Sequence, residues 1–202
     1  MNTSIFTLTA LIAFAPALSA QESIELAEAQ KAARKLSASV SQITDAPFAV
    51  DSDLERPQGI KADGVGLLVL PDRKASAELL AAANTAITPL AQLWTLKLAV
   101  AKDGKATAGE KLRHITISDG ENSREVSLYF LGATKTAGGE LELVVYAKGQ
   151  EPILRVPINK RVAAKQEFPI EVSGTKNDDK SGTLSLRLFG EYDARLLLVR
   201  DE

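Results

Sequence analysis

The chain has no cysteine, one histidine, one tryptophan and no surplus of either charge. Without cysteine there is no disulfide, no thiol nucleophile, no thiolate-held zinc or iron–sulfur cluster, and no cysteine to carry a lipid anchor. A single histidine cannot build a multi-histidine metal site. The 24 basic and 26 acidic residues nearly cancel, so nothing supplies the phosphate-neutralising excess that nucleic-acid binding needs. Aromatic residues make up only 5% of the 202 residues. Trp94, Tyr129, Tyr146 and Tyr192 are scattered, and a sugar-stacking platform would need such rings exposed together.

Long apolar runs are also scarce. One spans Ile5 to Ala15, well short of the roughly 20 residues of a membrane-crossing helix. Pro16 ends it, and the small residues Ala17, Ser19 and Ala20 follow. That order predicts a secretory signal over residues 1–20, cut after Ala20 to leave Gln21 first, although no Lys or Arg precedes the run. No later run is long enough to span a bilayer, so the expected product is periplasmic or secreted with no integral membrane segment after cleavage.

What remains is ordinary globular material, 45% hydrophobic and 25% charged. Residues 21–44 are expected to form an amphipathic helix. Leu26, Ala29, Ala33, Leu36, Val40 and Ile43 recur at helical steps, with Glu22, Glu25 and Glu28 early and Lys31, Arg34 and Lys35 later, as the helix dipole favours. The stripe lasts under three heptads and has uncharged flanks, so it points to packing on the chain's own domain rather than to a coiled coil. Its large members are few, which predicts weak docking and a separable helix. Residues 45–62 lack a sustained period and contain Pro47, Pro57 and Gly59, the marks of a linker or extended arm.

Residues 63–202 are expected to form the folded domain. "GVGLLVLP" reads as a buried strand. "DRKASAELLAAANTAI" reads as a helix that Asp72 would cap, with Leu79, Leu80, Ala83 and Ile87 on one side. "LAQLWTLKLAVA" alternates, placing Trp94, Leu96, Leu98 and Val100 on one core face. Strand, helix, strand is the order of a crossover unit, but the glycine-free turn "LPDRKAS" argues against a phosphate cradle. Seven further strand candidates follow, from "KLRHITIS" to "YDARLLLVR", separated by turn clusters such as "DGEN" and "TKNDDKSG". In "GTLSLRLF", Leu184, Leu186 and Leu188 face in while Ser185 and Arg187 face out. The expected fold is mainly β: an antiparallel β-sandwich, Ig-like in general architecture, with an N-terminal helix and one helix inserted between early strands. An open barrel is the rival arrangement.

Chemistry is hard to nominate. If "DGEN" turns at Gly120 and Glu121, Ile115 pairs with Val126, Ile117 with Arg124, and His114 with Ser127, with Glu125 on a diagonal. One face then carries Ile115, Ile117, Val126, Leu128 and Phe130, and the other, solvated face carries His114, Glu125, Ser127 and Tyr129. Serine, histidine and an acid are the residue types of a hydrolytic triad. A regular ladder, however, supplies neither a lifted nucleophile nor spare N–H donors for an oxyanion. Oxygen-ligand calcium could be sought at Asp51, Asp53 and Glu55, at Asp119, Glu121 and Asn122, or at Asn177, Asp178 and Asp179. None has the spacing of a calcium loop. No catalytic, cofactor-binding or metal residue is therefore assigned, and no cofactor is expected. The expected function is an exported non-catalytic module binding a protein or cell-envelope component. The alternative is a carbohydrate-active or other hydrolase whose site residues meet only in the fold.

Overall fold

The structure, a computed structural model, describes residues 21–40, 43–62, 64–119 and 122–201. The expected signal segment 1–20 and the hairpin-tip residues Gly120 and Glu121 lie outside the described residues. The elements in chain order begin with β1 (Glu22–Ser23), α1 (Leu26–Val40), β2 (Gln58–Ala62), β3 (Val65–Pro71), α2 (Ala77–Ala81) and β4 (Thr88–Leu96). Then come β5 (Leu98–Lys102), β6 (Lys105–Ala106), β7 (His114–Asp119), β8 (Asn122–Lys135) and β9 (Leu141–Tyr146). The series closes with β10 (Leu154–Pro157), β11 (Asn159–Lys160), β12 (Ile170–Lys176), β13 (Ser181–Leu188) and β14 (Tyr192–Arg200).

Two sheets result. The first runs β1-β2-β3-β4-β8-β9-β10, with β7 also on β8; the second runs β12-β13-β14-β5-β6, with β11 on β14. All their pairings are antiparallel. In the second sheet β14 lies between β13 and β5, with Leu197 opposite both Thr183 and Ala101. A shared core closes the sandwich: Leu67, Val69 and Val145 from the first sheet join Leu184, Leu186 and Leu196 from the second. The chain is mainly β, built of antiparallel sheets, with two α-helices among the described residues.

Helix α1 forms a third layer on the far face of the first sheet. Ala29, Ala33 and Leu36 are buried there against Leu68, Trp94, Leu128, Phe130 and Val144. Phe48 covers the same face, its ring meeting Phe130 at 5.9 Å and Tyr146 at 5.5 Å in edge-on geometry. Strand β1 pairs with β2, Ser23 opposite Ile60, so the segment from 45 to 62 ends as a strand of the first sheet.

These layers explain the sequence pattern. Central strands of the first sheet are covered on both faces, so β3, β8 and β9 read as continuous apolar runs: Leu128 and Phe130 face α1, Tyr129 and Leu131 face the second sheet. Strand β13 is covered on one face only, and it alternates cleanly.

Four expectations need correction. Strand β3 and β4 pair directly and antiparallel, Leu68 opposite Trp94, instead of forming a crossover. The five-residue α2 spans only ~7–8 Å, too short to carry the chain back along a seven-residue strand of ~23 Å. Ser76, not Asp72, caps α2, its Oγ accepting from Leu79 N at 3.2 Å. Asp72 instead accepts from Asp51 N and Lys74 N, tying two loops together. Trp94 and Val100 do not share a face. The chain breaks at Lys97, whose φ of 55° resets the pleat as β4 of the first sheet gives way to β5 of the second. Lastly, Tyr129 is wholly buried rather than solvated, because β8 runs from the overhanging hairpin into the centre of the sandwich. Its hydroxyl accepts from Val100 N at 3.2 Å, and burial above all pushes its pKa up to about 12.

Candidate functional site

The hairpin forms in the expected register, His114 opposite Ser127 and Ile115 opposite Val126. Period-two alternation then puts Ile115, Ile117 and Val126 against the α1-side core, with His114, Thr116 and Glu125 exposed on the other face. Ser127 Oγ lies 3.3 Å from His114 Nδ1, and Glu125 Oε1 lies 3.4 Å from that same nitrogen. A proton relay needs the serine on one ring nitrogen and the acid on the other. Here both partners crowd Nδ1. Ser127 is also 4% exposed and is paired through its backbone to both Thr95 and His114, so it is not raised towards a substrate. The geometry is that of polar cross-strand contacts. Replacing His114 with alanine is expected to change stability by no more than roughly 0.5 kcal/mol, while Ile115→Ala costs roughly 1–3 kcal/mol. Urea unfolding of the two variants checks this, and the reverse ranking would give the imidazole a role that its contacts do not explain.

The acidic candidates are dispersed. Asp53 Oδ1 accepts from Glu55 N and Oδ2 from Arg56 Nε at 2.7 Å, while Glu55 pairs with Arg34 and Asp51 with Arg73. Burial opposes the charge on Asp53, yet the Arg56 and Glu55 hydrogen bonds prevail and hold its carboxyl below the usual range. Asp178 accepts from Ser181 Oγ, Ser181 N and Lys180 N, which lowers its pKa and closes its turn, while Asp179 pairs with Lys176 at 2.7 Å. Among the described residues no three carboxylate or imidazole groups converge as metal ligands. Of Asp119, Glu121 and Asn122, the first and last pair across the end of the hairpin, and Glu121 lies outside the described residues. Trp94, Tyr129, Tyr146 and Tyr192 are all buried, so none offers a stacking face to sugar.

The structure instead brings together a cleft at one end of the sandwich, where β2 and β3 of the first sheet face β12, β13 and β14 of the second. Its volume is about 390 Å³, within the ~300–1,000 Å³ range of small-molecule sites. Inside it lie Ile60, Leu67, Leu98, Leu184 and Leu198; at the mouth lie Arg200 and the 176–181 turn. Its origin can be read from strand register. Along β12 and β13 the inward positions are Ile170 and Val172, then Gly174; and Leu188, Leu186 and Leu184, then Gly182. Two inward positions thus lack side chains where the rows behind them carry branched aliphatics, and the core is left open at that end. Gln21 lies across Gly174, so that a Cβ built there would come within 2.5 Å of its Nε2.

No family model, curated protein or solved structure matches this chain. The cleft is therefore read on its own chemistry. No histidine lines it, and its carboxylates, Asp178 and Asp179, sit at the mouth in the hydrogen bonds of their own turn. Such a site can bind apolar matter and hold it; it has no evident acid–base pair with which to act on it. Sequence reasoning missed it because its lining comes from five separated stretches, at residue 21 and near residues 60–67, 98, 174–184 and 198–200. The signal within reach was one glycine at an inward position of each of "IEVSGTK" and "SGTLSLRL".

Proposed function

We propose that the protein is an exported, non-catalytic β-sandwich module that binds a component of the cell envelope in the cleft between its sheets. The observation that carries this reading is the apolar cleft itself, open where Gly174 and Gly182 stand in place of core side chains. The signal-type run before Gln21 supports export, and the crowding of Ser127 and Glu125 on one imidazole nitrogen weighs against hydrolysis.

The test is native mass spectrometry of the protein recovered from the periplasm or medium of its own host. A mature chain beginning within a residue or two of Gln21, carrying a non-covalent adduct, is the expected result. The Gly174→Phe variant should lack the adduct, because the new ring displaces the flexible Gln21 side chain and fills the cleft. A retained N-terminus near Met1 sinks the export claim, and an adduct unaffected by Gly174→Phe places binding elsewhere.

A further inference from the structure

We infer that the cleft takes the alkyl chain of a free fatty acid, whose carboxylate is met by Arg200. The inference rests on the cleft being the binding site. Its interior offers Ile60, Leu67, Leu184 and Leu198, with the Gln21 amide lying over Gly174, so a group that enters is met mainly by apolar surface. Gly174 and Gly182 leave the cleft open between the two sheets on the side of the 176–181 turn, where an alkyl chain can enter.

The head is assigned from charge. Arg200 follows Leu196 and Leu198 at the same period-two positions of β14, so it belongs to the inward row and ends it at the mouth. Its Nε donates to the carbonyl oxygen of Asp179 at 3.2 Å, which fixes the guanidinium plane. Among the described residues no side-chain carboxylate forms an ion pair with its terminal nitrogens, although the Asp179 carboxylate is near enough to feel its charge, and such a fork matches a carboxylate in bidentate fashion. Of the two acids of the mouth, Asp179 is charge-paired, whereas Asp178 keeps its negative charge within its own turn. Asp178 accepts three hydrogen bonds from Lys180 and Ser181, and Asp179 is paired with Lys176. An anionic head with an apolar tail is the ligand whose two ends fit the two ends of this site.

The experiment is isothermal titration of the chain from Gln21 onward with three C12 probes: laurate, the neutral dodecyl maltoside and the cationic dodecyltrimethylammonium. All are held below their micelle concentrations, with acetate as the tail-less control. Laurate should bind at least about tenfold more tightly than either other probe, and acetate should give no heat. Arg200→Gln should remove that preference while leaving weak binding of the neutral chain. Gly174→Phe, checked for native circular dichroism, should abolish binding of all three. Equal affinity for the three heads would overturn the fatty-acid assignment and leave the cleft reading intact. Binding of laurate that survives Gly174→Phe would overturn both. If no C12 probe binds while the natively isolated protein still carries its Gly174-sensitive adduct, the cleft stands and the ligand class assigned here does not.

Discussion

A chain beginning at Asp63 is expected to lose cooperative unfolding. Removing residues 21–62 takes away β1, α1, Phe48 and β2 together, and uncovers Leu68, Leu70, Trp94, Leu128, Phe130, Val144 and Tyr146 on the outer face of the first sheet. A fully buried side chain of this size is worth roughly 1.5–3 kcal/mol. Even half of that across the seven uncovered residues amounts to roughly 5–10 kcal/mol, comparable with the whole stability of an ordinary domain at ~5–15 kcal/mol. Strand β3 would also become a bare edge beside that apolar face, a template for aggregation. Because the chain has one tryptophan, and it lies in this layer, its fluorescence reports the event directly. The expected signature is red-shifted Trp94 emission and a broad or absent thermal transition, against a blue emission and a sharp one for the chain from Gln21. A sharp transition in the shortened chain would show that the sandwich folds without its helical cover.

The second large effect is expected from Trp94→Ala. Trp94 is 2% exposed and sits between α1 and the sheet, its indole Nε1 donating to Gln92 Oε1 at 3.2 Å. Removing the ring opens a cavity that Ala29 and Ala33, short and held in a helix, cannot fill, and Gln92 loses its partner while 2% exposed. The cost should be about 3–5 kcal/mol, read from urea unfolding followed by circular dichroism. A loss below about 1 kcal/mol would mean that the helix-side layer is not a packed core.

Both expectations run against what the alanine-rich stripe of α1 suggests by itself. Counting Leu26, Leu36, Val40 and Ile43 gives a modest docking energy, and Leu26 is in fact 41% exposed. The large groups lie on the sheet beneath, where small helix residues allow a close approach. That half of the contact belongs to strands far along the chain, so no reading of the helix alone could weigh it. The hairpin was legible for the opposite reason. Its partners are separated by a short turn, and a period of two with "DGEN" between fixes which residue faces which, down to His114 on Ser127. Legibility failed where a strand changes neighbours midway. Tyr129 follows Ser127 by the same alternation, yet it lies between two sheets because the second sheet begins to cover β8 there. Short pieces such as β1, β6 and β11 leave no period to detect. The cleft fails to show in sequence because glycine signals space only once the opposite sheet is known.

The place of β14 between β13 and β5 also dictates an order of assembly. Leu197 pairs with Ala101 across nearly half the chain, and β5 has no partner of any length in its sheet until residues 192–200 have been made. During synthesis, β5 must wait without its long strand partner. Topology of this kind gives a high contact order, with folding on the millisecond-to-second scale rather than in microseconds. A nascent chain whose second layer cannot close from the N-terminal end remains open to chaperones until β14 emerges.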